Sequence, residues 1–273
     1  MKTMQIYAFD MNCVGHINHG LWTHPRDGSA HYTDLDYWTE FAKTAERGKL
    51  DGIFLADIVG VYDIFRGSPA PVITTAAQIP VNDPLIPISA MAYVTKHLGF
   101  GVTVNTTYEP PFLLARRMST LDHLTKGRIG WNIVTGYLDS AARSMGFDRL
   151  PEHDARYDAA EEYLEIVYKL WEGSWDDDAV LRDKVGGIYA DPSKCALSVM
   201  TVNITGWRAS ISPNLLHSAR PCSSRPAPPH AARTLPPGTP NASSSPAQTP
   251  GRCGRRWMRC GRRPRNSAAA PTH

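Results

Sequence analysis

Along the first two-thirds of this chain, apolar positions switch repeatedly between two periods. Four short runs are apolar at most positions: Met4 to Asn12 (MQIYAFDMN), Gly52 to Asp57 (GIFLAD), Leu98 to Thr106 (LGFGVTVNT) and Arg128 to Thr135 (RIGWNIVT). Runs of this length and texture predict strands, and the nearly continuous GIFLAD predicts one buried on both faces. Between them the apolar residues recur at helical spacing. Leu35 to Leu50 follows the candidate caps Thr33 and Asp34 and places Trp38, Phe41 and Ala45 on one face. Pro84 to His97 and Pro110 to Lys126 each open with proline, which the first helical turn tolerates. His153 to Trp171 repeats Tyr157, Ala160, Tyr163, Leu164, Val167, Tyr168 and Trp171. Ile58 to Asp83 fits neither period and is too long for a simple connection, which marks it as a candidate functional loop.

Four consecutive strand–helix units imply parallel strands joined by right-handed crossovers. A doubly wound sheet and a (β/α)8 barrel both begin this way. No Gly-x-Gly-x-x-Gly follows the first strand; that connection, Val14 to His31, is long and rich in His, Asn, Trp and Pro, which favours the barrel. Barrel active sites form at the carboxyl ends of the strands. Polar residues fall there repeatedly: Asn12, Asp57, Thr103, Asn105, Asn132 and Thr135, with His153 and Tyr157 opening the last helix. Each has a purely structural reading. Asp57 can cap a turn, Thr103 can be a satisfied buried hydroxyl, His153 can cap its helix, and Trp131 can be core or cavity wall. Their joint placement at one end of the strands is what points to a site. His16, His19, His24 and His31 match no standard ligand spacing, so no metal is expected.

Composition divides the 273 residues into two materials. Residues 1–194 carry 18 Lys and Arg against 26 Asp and Glu, a net charge of −8. Residues 195–273 carry 11 Arg and no Lys, Asp or Glu, with 12 of the 22 prolines and four of the five cysteines. An acidic domain is thus followed by a basic Pro/Ala/Ser/Arg-rich tail too poor in periodic apolar residues to form a core, and expected to be disordered. Cys13 alone in the first part excludes a disulfide framework there. No signal peptide or membrane span is read from the sequence, so a cytoplasmic location is expected.

The stretches NHGLWTHPRDGSAHYTDLDYWTEFAKTAERGKLDGIFLAD, PVNDPL, LGFGVTVNTTYEPPFLLARRMSTLDHLTKGRIGWNIVTGYLDSAARSMG and HDARYDAAEEYLEIVYKLWEGSW resemble the nitrilotriacetate/dibenzothiophene-sulfone monooxygenase family of bacterial-luciferase-like flavoproteins. The resemblance runs from about Met4 to Lys194. It implies a luciferase-like TIM (β/α)8 barrel, here truncated to about four βα units. It also implies FMN, used as reduced FMN from a separate NAD(P)H:flavin reductase, with O2 oxygenating a small organic substrate. Carried over by motif, Asp57 (FLAD), Thr103 (GVT), and His153 and Tyr157 (HDARY) are expected flavin contacts, with Asn132 (GWN) beside them. His153 is the catalytic candidate, a flavin ligand that also stabilises the flavin peroxide. The superfamily often forms dimers, which makes a homodimer a candidate without fixing the oligomeric state; a membrane or nucleic-acid partner is not expected. A deazaflavin-dependent oxidoreductase is disfavoured because the matched motifs are those of the FMN group.

The resemblance ends at DPSK, residues 191–194. A lost G after the Lys194 codon accounts for the switch. Pro221 to His230 can be written CCG TGC TCT TCC AGG CCG GCA CCT CCG CAC, which regroups to VLFQAGTSA, an apolar strand and small-residue turn like the family's fifth strand. The same regrouping near the junction, from Cys195 through Met200 to Asn214, permits VRAVSHDGEHYRVAGIHFTE, again family-like. Residues 195–273 are therefore expected to be an out-of-frame translation, and a catalytically inactive truncated fragment is the alternative to a working monooxygenase. The segment Gly251 to Arg265 as an evolved basic extension is the less favoured account of the tail.

Overall fold

The computed structural model describes residues 4–16, 19–195, 200–204, 207–211 and 222–224. The four expected strands, β1 (Tyr7–Met11), β2 (Gly52–Ala56), β3 (Gly99–Asn105) and β4 (Ile129–Val134), form a parallel sheet in sequence order. Helices α1 (Leu35–Arg47), α3 (Ile88–Tyr93), α4 (Pro111–Thr125) and α6 (His153–Glu172) cover one face. Two further helices lie where sequence pattern predicts loops: α2 (Ala70–Thr75) inside the Ile58–Asp83 connection, and α5 (Asp139–Ser144) after β4. The helix expected over residues 84–97 shrinks to six residues. Pro84 and Pro87 explain this, since proline donates no N–H and disfavours helical geometry in the residue before it.

The period-2 alternation of the strands separates the two faces. Ile53, Leu55, Phe100, Val102, Val104, Ile129, Trp131 and Ile133 are buried against Trp38, Met91, Leu114, Met118, Ile166 and Val167. The register carries this layer straight across, Ile53 beside Phe100 and Phe100 beside Ile129. Buried tryptophans keep their indole N–H bonded: Trp38 to the Tyr32 carbonyl at 2.7 Å, Trp131 to that of Val104 at 3.0 Å and Trp171 to that of Ala115 at 3.1 Å. On the opposite face Phe54 and Ala56 are only half-buried, so GIFLAD is covered fully on one side rather than both.

Polar fasteners close the amino-terminal end of the sheet. Glu46 Oε1 accepts the backbone N–H groups of Lys96, His97 and Leu98 at 2.8, 2.6 and 3.1 Å. Arg128 spreads its guanidinium over the carbonyls of Ala92, Thr95, Leu98 and Thr125. Beyond α6 the chain forms an antiparallel hairpin, β5 (Val180–Asp183) with β6 (Ile188–Ala190), which the strand–helix pattern does not anticipate.

In the tail, β7 (Met200–Ile204) pairs with β8 (Trp207–Ile211), and β9 (Cys222–Ser224) runs parallel to β4. Residues 200–204, 207–211 and 222–224 are thus short strands, and β4 has β9 beside it at the far edge of the sheet. The remaining tail residues lie outside the described ones. No helix among the described residues is long and apolar enough to cross a membrane.

Candidate functional site

The carboxyl ends of the strands open onto a cavity of about 360 Å³. Asp57, immediately after β2, lines it together with Thr103 and Asn105 of β3, Tyr108 and Glu109 just beyond, and Asp83 at the end of the β2–α3 connection. Burial pushes the Asp57 carboxyl up to about 7; the Ile58 N–H opposes the shift and the Asp83 charge adds to it. Near neutral pH this group therefore serves as either donor or acceptor. Thr103 is buried, and the Asn132 amide donates to its Oγ1 at 3.0 Å. Thr103 and Asn132 are register partners on the face away from the helices. Asn132 thus supports the cavity wall from behind Thr103.

His153 and Tyr157 form a separate pair in the first turn of α6, ring centroids 4.8 Å apart, and neither lines the cavity. The His153 side chain is 59% exposed, with Nδ1 2.9 Å from Asp154 Oδ1. Its capping role is not seen: Glu152 holds the N-cap position and His153 is the first helical residue. Arg156 lies in the same helical turn. It donates to the Pro151 carbonyl at 2.5 Å, and its charge acts on Tyr108, partly offsetting the upward push of burial on that phenol.

Three cavity residues, Asp83, Tyr108 and Glu109, are not among the predicted contacts. All three sit in quoted stretches, PVNDPL and TTYEPP, but their period gives no sign of a site; only the fold brings them to Asp57. Burial raises Glu109, while Arg117, 2.7 Å away, pulls it back. The Tyr108 hydroxyl is buried with no hydrogen-bond partner among the described residues.

The cavity's outer wall, the Ile58–Asp83 connection, is held from two sides. The Asn12 amide donates to the Asp83 carbonyl at 2.8 Å, and the Asn82 N–H to the Asn12 carbonyl at 2.8 Å. Across the way, Ser140 Oγ of α5 accepts the Val61 N–H at 2.9 Å and donates to the Val61 carbonyl at 2.6 Å. Gly60 permits this approach: φ is 102°, and a Cβ there would stand 2.6 Å from the Ala141 nitrogen. Arg143 pairs with Asp63 at 2.5 Å, and the Tyr62 and Tyr137 hydroxyls share a short hydrogen bond. A wider, open groove of about 890 Å³ along residues 28–44 takes in none of the predicted contacts. Among the described residues no group of three or more His, Cys, Asp or Glu is placed to hold a metal.

The family model of luciferase-like monooxygenases matches residues 17–249. The chain belongs to the luciferase-like monooxygenase family. Among curated relatives of this luciferase-like chain, the long-chain alkane monooxygenase of Geobacillus thermodenitrificans is 63% identical over 193 residues, 71% of this chain and 44% of the relative. The dimethyl-sulfide monooxygenase of Hyphomicrobium sulfonivorans is 57% identical over 193 residues, 71% of this chain and 40% of the relative. The crystal structure of a long-chain alkane monooxygenase superposes with a TM-score of 0.77 at 55% identity, covering 82% of this chain and 51% of that one. A riboflavin lyase solved with modified FMN superposes at 0.74 and 36% identity, covering 81% and 49%. The luciferase-like chain thus spans less than half the length of the two curated relatives it matches here.

Proposed function

We propose that this luciferase-like chain is the amino-terminal half of an FMN-dependent monooxygenase whose strand-end cavity holds one edge of reduced FMN. The observation that carries this is the Asp57 carboxyl, half-buried at the strand ends and shifted up to about 7 beside Thr103. A flavin ring presents an N–H donor flanked by carbonyl acceptors. A carboxyl that both accepts and donates, a threonine hydroxyl backed by Asn132, and the unpartnered Tyr108 hydroxyl match that edge. Bound FMN would supply oxygen activation, which no side chain here can provide. The protein's part is to orient the ring and shield it. In this reading His153 and Tyr157 would be further flavin contacts, and the exposed His153 imidazole would hold or pass a proton at Nε2. Reduced flavin comes from a separate NAD(P)H:flavin reductase, and the substrate is a small organic molecule. Titrating the purified chain with FMN by fluorescence quenching tests the reading. Saturable quenching that weakens in Asp57→Ala is expected, with product formed when reductase, NAD(P)H and O2 are added. A flat titration selects the second reading, an inactive fragment.

Residues 195–273 we read as an out-of-frame translation, leaving 1–194 as the half-barrel. The relatives' alignments of 193 residues are as long as the part before the switch. In addition, β9 sits parallel beside β4, where a fifth barrel strand belongs, and its residues can be written with codons that regroup to VLFQ. Resequencing across the Lys194 codon checks this: a verified frame with no family-like alternative downstream removes it.

A further inference from the structure

We propose that residues 58–75 form a gate over the strand-end cavity, which opens along a seam between this segment and α5 and is latched by the Arg143–Asp63 pair. What passes the gate rests on the FMN reading; the seam itself does not. Its two sides are also two walls of the cavity, lined by Val59 of the connection and by Met145 at the end of α5. Three contacts join them: Val61 with Ser140, Asp63 with Arg143 at 2.5 Å, and Tyr62 with Tyr137. The last two lie at the protein surface. The Arg143 and Asp63 side chains are 53% and 34% exposed, so water and salt weaken their attraction.

The packing beneath the seam is separate from the main core. Ile58, Leu138 and Ala141 bury against Met11 and Cys13 in a small cluster that shares no member with the sheet–helix core. A unit with so few buried apolar contacts opens more readily than the core does. The far end of the segment is fixed to the chain leaving β1. Val81 bridges Cys13, Ala77 bridges Gly15, and the Gln78 N–H donates to the Gly15 carbonyl at 2.9 Å. Ala76 and Gln78 sit there in the left-handed region, with φ of 54° and 57°, and Gly60 turns the chain at φ 102° beside the seam. Between these two turns Ile64 and Phe65 stand exposed, so little packing resists a swing of the segment. The motion has a use in the FMN reading. Flavin delivered by a separate reductase must enter and leave repeatedly, while the closed wall shields it from water.

Hydrogen–deuterium exchange of the full-length chain, read by mass spectrometry, tests the seam. Arg143→Gln should speed exchange about two- to fivefold in the peptides covering residues 58–75 and α5, with those of β2, β3 and α4 unchanged. Gly60→Ala, whose Cβ would stand 2.6 Å from the Ala141 nitrogen, should prop the seam open and speed the same peptides further. Lys43→Gln, which breaks an exposed ion pair with Glu40 on α1, should leave them at the parent rate. Exchange that is unchanged in Arg143→Gln, or raised throughout the chain, overturns the gate. Stopped-flow FMN quenching keeps the two readings apart. In Arg143→Gln the association and dissociation rates should both rise, and their ratio should move less than either. Flavin binding whose rates ignore the variant overturns the gating role and preserves the FMN reading. A seam that responds as expected in a chain that binds no FMN removes the FMN reading and leaves the gate standing.

Discussion

Thr103 and Asn132 stand side by side on β3 and β4, and the Asn132 amide donates to the Thr103 hydroxyl at 3.0 Å. The bond crosses the sheet on the face that the helices leave open. It leaves the threonine proton available to the cavity. Thr103→Val removes the acceptor while keeping the shape, and strands the Asn132 amide in a half-buried setting. A loss of about 1–3 kcal/mol in urea unfolding is expected, together with weaker FMN quenching. Thr103→Ser, which retains the oxygen, should recover most of both. Equal damage from Val and Ser would show that packing, and not the hydroxyl, matters here.

Asp57 gives the chain a pH signature of definite sign. Its carboxyl titrates at about 7 in the folded chain and near 4 when unfolded. Between those values the folded state holds more protons than the unfolded one, so stability falls as pH rises. The loss begins near pH 4 and is complete a little above pH 7. Asp57→Asn abolishes it. The variant's advantage over the parent should therefore grow from pH 4 to pH 7 and then level off, on the order of 2 kcal/mol after allowance for partial solvent screening. Denaturant midpoints measured across that range read it directly; an advantage independent of pH would count against a raised Asp57.

Ser140 holds the cavity's outer wall through both polar groups of Val61. In Ser140→Ala the Val61 N–H and carbonyl lose their partner, and the connection carrying Gly60 loses its anchor to α5. Limited proteolysis should then cut within residues 60–77 several-fold faster than in the parent, while cuts elsewhere keep their rate. Unchanged cleavage would mean that the Arg143–Asp63 and Tyr62–Tyr137 contacts suffice.

Arg128 serves stability at the far end of the sheet. Its planar fork meets carbonyls of Ala92, Thr95, Leu98 and Thr125, which an ammonium cannot satisfy together. Arg128→Lys should cost about 2 kcal/mol in thermal or urea unfolding with FMN quenching of the remaining folded chain unchanged. A selective loss of flavin binding would contradict this assignment.

Local pattern determined the scaffold of this protein. The apolar runs at 52–57, 98–106 and 128–135 and the helical spacing from His153 set parallel βα units, because burial of alternate strand positions and of one helix stripe is a local demand. The quoted motifs placed the chain in its family. Tertiary structure alone decided the site's membership. Asp83 meets Asp57 only because Asn12 and the β1 exit pin the long connection, and Ser140 reaches Val61 only because Gly60 lets two loops touch. It also decided that His153 and Tyr157 stand apart from the cavity, since helical spacing fixes neighbours along α6 but not the direction in which that turn faces. The half-covered inner sheet was beyond sequence pattern for the same reason. An apolar run such as GIFLAD states what must be buried, and only the packed chain shows which face is covered.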